Sequence, residues 1–207
     1  VHIEGYTRQA LWRHSVAVAQ FAKMIYRREF LERGANVYAV GLLHDLGIIV
    51  EDQFRNTAFT EALRMANKED LPLWQAEERI LGYNHGLIGA RLLGGWNLPD
   101  EFTYGIEYHH APDKAPDPYQ RLTASLFVAN YCCQTATIGY CDSPLENEAR
   151  YKQCIEQLAI EPDAIHQVVE RQQNPTHGQV GGPDRGHDVR CGAAGDGGQQ
   201  LFQRGRG

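Results

Sequence analysis

The sequence predicts an all-α protein. Apolar residues recur at steps of three and four through most of the first 173 residues, and no stretch of useful length alternates apolar and polar residues with period two. The chain has 207 residues, which suits one domain with a sizeable core, or one domain and a tail, rather than two full domains. A composition break at Asn174-Pro175 places that tail.

Each helix has its own signal. From about Arg8 to Arg28, Leu11, Trp12, Val16, Ala19, Met24 and Ile25 mark an amphipathic helix that contains His14. Asn36 to Asp45 carries Val37, Val40 and Leu43 in a nearly continuous apolar run and reads as a buried helix, with Gly47 as its stop. Ile48-Ile49-Val50 favours β structure but is too short and isolated for a sheet, so it is expected to be a connector. Phe59 to Ala66 and Trp74 to Leu81 are two shorter helices. Asn84 is placed to cap a helix that starts at His85 and ends at Gly94-Gly95. Pro99 opens a helix reaching His109-His110, and the proline-rich run from Ala111 to Pro118 forces a loop. A long helix is expected from about Tyr119 to Thr135, then two more over Leu145 to Leu158 and Pro162 to Gln172. Trp12, Trp74 and Trp96 are expected to anchor the core, and Cys132-Cys133 to pack on an apolar helix face.

The domain assignment is therefore a helical domain over 1–173 and a Gly-rich segment over 174–207. Ten of the 21 glycines lie between Gly178 and Gly207, with Val180, Val189, Leu201 and Phe202 as its large apolar groups. So little apolar surface cannot offset chain entropy, and the tail is expected to be disordered. A formal net charge of -6 argues against a dedicated nucleic-acid binder. No run approaches 18 apolar residues and the first residues lack a signal peptide, so no membrane association is expected. Five cysteines without a CxxC pair suggest reduced thiols and a cytoplasmic protein.

The histidines are the informative feature. Of nine, five are His14, His44 beside Asp45, His85, and the pair His109-His110, all on predicted helices or at their ends. Imidazole and carboxylate suit Zn, Fe, Mn or Ni, and several helices each bringing one or two such groups to a bundle centre can hold one or two divalent ions. These polar residues also sit beside core-forming stripes, and buried polar groups need partners that a shared metal would supply. Taken singly, His14 or His85 is more often a hydrogen-bonded core or cap histidine than a ligand.

The runs Leu11-Trp12-Arg13-His14-Ser15 and Gly41-Leu42-Leu43-His44-Asp45-Leu46-Gly47, then His85 with the stretch Gly89 to Pro99, then His109-His110, resemble the HD superfamily and most closely its HDOD branch. The resemblance spans roughly Leu11 to Gln172. It implies an HD-domain-like helical bundle with His14, His44 and Asp45 at a first metal site, Asp45 able to bridge, and His85 with His109 or His110 near a second. The last ligand of catalytic relatives, an aspartate on the long late helix, corresponds to Asn130, a neutral and weaker ligand. Relatives that cleave cyclic dinucleotides carry a lysine where this chain has Ile48, and a Gly-Tyr-Pro motif where it has Ala111-Pro112-Asp113-Lys114. HDOD proteins also carry a helical half upstream of the first histidine, so the chain is expected to be the HD-bearing part of a longer protein.

Two functions follow from the resemblance. The first is an HDOD-type signal-transduction or output module that retains its His/Asp metal site, with signalling protein domains or a phosphate-containing small molecule as partner. The second is a metal-dependent phosphohydrolase, a phosphomonoesterase or phosphodiesterase on a nucleotide-like substrate. In that reading the metal activates water, and His85 and His109 or His110 neutralise developing charge. Arg13, Arg91 and Lys114 are candidate phosphate contacts whose plainer role is surface solvation or ion pairing. A carboxylate reaching the first site from Asp113 or Glu107 would favour catalysis.

Overall fold

The computed structural model describes residues 6–30, 35–141, 148–160 and 165, and these form helices joined by turns and loops, with no strand among them. Among the described residues nine α-helices run in order: α1 Arg8–Phe30, α2 Ala35–Leu43, α3 Leu46–Phe54, α4 Asn56–Glu69, α5 Leu73–Leu81, α6 His85–Gly95, α7 Asp100–Glu107, α8 Gln120–Thr135 and α9 Glu148–Gln157. Short 3-10 turns at Pro112–Lys114 and Asp117–Tyr119 fill the proline-rich loop. The expected helix over 162–172 and the expected disordered tail lie outside the described residues, Ile165 apart. No helix among the described residues is long and apolar enough to cross a membrane.

The helices pack α1 on α2 and α8, α3 on α6, α4 on α5, and α6 on α7. Two apolar clusters result. One joins Val18, Phe21 and Ala22 of α1 to Val40 of α2, Ile106 of α7 and Leu126, Phe127 and Ala129 of α8. The other joins Leu11 of α1 and Ile48 of α3 to Phe59 and Leu63 of α4, Leu73 of α5 and Tyr140. Each large side chain fully buried here contributes about 1.5–3 kcal/mol relative to its exposed state. Along α1 the change from one cluster to the other falls at His14-Ser15. Along α2 and α3 it falls just after His44-Asp45, between Leu46 and Ile48. The polar centre thus occupies the seam between two cores.

Local signals explain most boundaries. Asn84 Oδ1 accepts from the backbone N–H of Leu87 at 3.1 Å, the expected cap of α6. Ile48-Ile49-Val50 is not a connector: it lies inside α3, where Ile48 and Glu51, three residues apart, share the buried face. Tertiary burial overrides the weak β preference of a β-branched triplet. Gly47 likewise does not stop a helix. The break between α2 and α3 falls at His44-Asp45 itself, and Gly47 is the second residue of α3. His109 and His110 follow α7 rather than ending it. Trp12 and Trp96 are not core anchors but exposed, because α1 turns Leu11, His14 and Val18 inward and Trp96 follows the end of α6. Trp74 is half-buried and stacks on His110, with ring centroids 5.7 Å apart at 25°. Cys132 and Cys133 are buried, as packing requires.

Candidate metal centre

All seven residues singled out from the sequence converge on this seam. His14 comes from the middle of α1, His44 and Asp45 from the break between α2 and α3, and His85 from the first position of α6. His109 and His110 come from the turn after α7, and Asn130 from α8. None is more than 7% exposed. Two groups of possible ligand atoms form, His14 with His44 and Asp45, and His85 with His109 and His110, each within 4.8 Å internally.

The ring orientations follow from the backbone. His14 Nδ1 lies 3.3 Å from the carbonyl of Ile138, His44 Nδ1 2.7 Å from that of Gly41, and His109 Nδ1 2.5 Å from that of Ile106. A carbonyl only accepts, so each Nδ1 carries the hydrogen and each Nε2 presents a lone pair inward. These three Nε2 atoms, together with that of His85, surround Asp45. Its Oδ2 lies 3.1 Å from His44 Nε2 and 3.8 Å from His14 Nε2, while its Oδ1 lies 3.5 Å from His85 Nε2 and 3.8 Å from His109 Nε2. One carboxylate therefore faces both groups, one oxygen to each. Acceptor facing acceptor is repulsive unless a cation lies between, and the buried Nε2 atoms of His44 and His109 and Oδ1 of Asn130 have no hydrogen-bond donor. The donor set fits one or two divalent ions.

Two glycines permit this approach. A Cβ on Gly47 would sit 1.9 Å from the carbonyl oxygen of His85, so only glycine lets α3 cross α6 at the first residue of the second group. Gly139, at φ +78°, would place a Cβ 2.5 Å from the backbone nitrogen of His14. Its turn brings the Ile138 carbonyl onto the His14 ring.

Sequence reasoning missed two buried acids. Glu77 on α5, fully buried, takes His85 Nδ1 at 2.7 Å and the His85 backbone N–H at 2.8 Å on the same oxygen, Oε2. Glu51 on α3, 1% exposed, lies beside Glu77. The available signal was position: Glu77 follows the buried Leu73 and Ala76 on one helix face, and Glu51 follows Ile48 by three.

Electrostatics divides the histidines. Burial holds His14, His109 and His110 below the ordinary imidazole range, His110 and the other rings adding to the effect on His109. The shift favours the neutral ring, the form that binds a metal. Burial would lower His85 too, but the charge and hydrogen bond of Glu77 reverse this and push it up to about 10. Burial works against the Asp45 carboxylate, yet His44, His85 and His14 together hold it well below the usual range. Asn130 lies within hydrogen-bond reach of His14. Asp113 pairs instead with Arg150 at 3.4 Å, and Glu107 lines a cavity of about 230 Å³ beside His110, with Trp74 and Lys114. Neither joins the first group, and Arg13 and Arg91 are exposed.

Comparison with known proteins places this geometry. The family model for the HDOD domain matches residues 2–112. An HDOD domain protein of unknown function from Geobacter sulfurreducens is 28% identical with a TM-score of 0.70, covering 83% of this chain and 61% of its own. A provisional signal transduction protein from Marinobacter aquaeolei is 21% identical (TM-score 0.66, 83% of this chain, 37% of its own). A provisional phosphohydrolase from Shewanella amazonensis is 18% identical (TM-score 0.63, 83% and 62%). These last two share the fold. An uncharacterized protein of Treponema pallidum is 29% identical over 96 residues, 46% of this chain and 19% of that protein. The chain thus spans less than two thirds of the length of each of these relatives.

Proposed function

The chain belongs to the HDOD domain family, and on that premise we propose that it is a signal-transduction or output module that keeps a working divalent-metal centre. The observation that carries this reading is the single carboxylate of Asp45, whose two oxygens face two groups of buried imidazole nitrogens. His14, His44 and Asp45 would hold one ion and His85, His109 and His110, sharing Asp45, a second. Imidazole-rich sets of this kind suit Zn, Fe or Ni, and Mn through the carboxylate. A bound ion would supply charge neutralisation and, in an open site, activation of water.

The module reading is favoured over catalysis by Asn130. Its side chain stands beside His14 where a second carboxylate would complete a more anionic first site. The partner is a signalling protein domain or a phosphate-containing small molecule in a cytoplasmic setting. The second reading, a metal-dependent phosphohydrolase on a nucleotide-like substrate, draws on the cavity beside His110, which opens toward Lys114. There the residues themselves would act by presenting neutral imidazoles at His109 and His110 and by excluding water around Asp45.

Elemental analysis of protein purified without chelator tests both. About one or two ions per chain, absent from a His44→Ala, Asp45→Ala variant, is the expected result. Hydrolysis of nucleotide or phosphodiester substrates by the loaded protein would move the assignment to the enzyme. A folded protein with no stoichiometric metal would end both metal readings.

A further inference from the structure

Behind His85 lies a pair of buried acids that neither metal group uses. Glu77 Oε2 serves two N–H donors of His85, while its Oε1 has none. Both oxygens of Glu51 are also without a donor. Three orphaned acceptors in a dry interior are costly, and two ionised carboxylates there also repel. One proton between them removes most of that cost. Glu77 is already an acceptor twice over, so the missing donor has to be the Glu51 carboxyl. Burial, then the charge of Glu77, push Glu51 above the usual carboxylate range, in agreement.

We propose that Glu51 is a positioning residue for the second metal group: its carboxyl donates to Glu77 Oε1, which keeps Glu77 Oε2 on His85 Nδ1 and leaves His85 Nε2 facing Asp45 and His110. His85 Nε2 is 3.5 Å from Asp45 Oδ1 and 2.9 Å from His110 Nε2, so a small ring rotation would change both approaches. A carboxylate behind a ligating histidine fixes its tautomer and orientation. Here a second carboxyl fixes the first. Glu51 also lies on α3, the helix that begins directly after Asp45, so one element holds the bridging carboxylate and the support of the second group. The inference rests on the metal-binding reading above.

The test compares wild type, Glu51→Gln and Glu51→Leu, all stripped and reloaded with zinc alone. Affinity is measured by chelator competition, folding by thermal melting, and the His85 Nδ1–H proton by NMR with and without zinc. Glutamine keeps an N–H donor toward Glu77, so it should bind the second zinc within about twofold of wild type and keep that resonance; leucine should weaken the second zinc by about 10- to 100-fold and shift or lose the resonance. Leucine equal to wild type, or glutamine as weak as leucine, would overturn the role. Should Glu51→Leu not fold, the glutamine variant decides alone, since a loss beyond tenfold would mean that Glu51 acts as an anion. Should wild type bind no zinc, the metal reading fails. In that event the metal-free resonance still judges the relay, and identical spectra in all three proteins would refute it.

Discussion

In the first ligand group, His14 and His44 are steadied by main-chain carbonyls and a neutral Asn130 stands beside them, whereas in the second His85 is steadied by the buried carboxylate of Glu77. A carbonyl orients a ring and carries no net charge. A carboxylate orients it and also makes the ring a more electron-rich ligand. Both groups share Asp45, so the contrast lies in what stands behind the ligands rather than in the ligands themselves. The second group is therefore expected to hold its ion more tightly, and the first to fill last.

Asp45→Asn has the largest expected effect, because it weakens both groups at once: stoichiometric metal should fall to near zero, while His109→Ala should empty only the second group. Elemental analysis of the two variants side by side checks this, and an ion retained by Asp45→Asn would mean that the groups do not share a bridge. Next, Glu77→Gln removes the charge behind His85 and should weaken the second ion by roughly 10- to 100-fold with the first unchanged. Zinc titration against a chromophoric chelator resolves the two steps. Asn130→Asp acts on the other side, supplying the first group with its own carboxylate, and should tighten that ion by on the order of tenfold, about 1.4 kcal/mol. Without metal the same change should lower the melting temperature, since a second carboxylate is then buried beside His14.

The smallest effect is in the metal-free protein's response to pH. His14, His109 and His110 are held below 6.5, so as pH falls through that value the unfolded chain takes up protons first and stability drops. His85, raised to about 10, does the reverse, and the folded state loses stability as pH rises from 6.5 toward 10, with the raised Glu51 adding to that limb. Urea midpoints should therefore peak near pH 6.5. Glu77→Gln should flatten the alkaline limb alone, because only the second group owns a raised histidine.

The cluster of histidines around Asp45 was legible in the sequence and its supports were not. Five histidines and Asp45 stand beside apolar stripes in motifs that resemble a known family, and the structure gathers them. Asn130, which sequence spacing alone would equally place at the surface, is buried beside His14. Helix existence was likewise visible from periodicity, down to the cap at Asn84. What escaped were features set by tertiary contact. The helix α3 was hidden behind Ile48-Ile49-Val50, whose local preference is for strand, and with it Glu51. Glu77 sits among Glu77-Glu78-Arg79, a run that reads as a solvated face, although only Glu77 turns inward. The outward turn of Trp12 and Trp96 was missed for the same reason, since size marks a residue as apolar but not which side of its helix meets a neighbour.

The close turn at Gly139 bears on how the molecule assembles in time. The Ile138 carbonyl that aims His14 lies 124 residues further along the chain, whereas Glu77, His85, His109 and His110 all fall within one contiguous segment. Distant pairings form late because the intervening loop must close before they return any energy. The second group can thus take shape while a chain is still short, and the first waits until α8 has arrived and folded back on α1. Metal uptake at His14 would then report that the bundle has been completed.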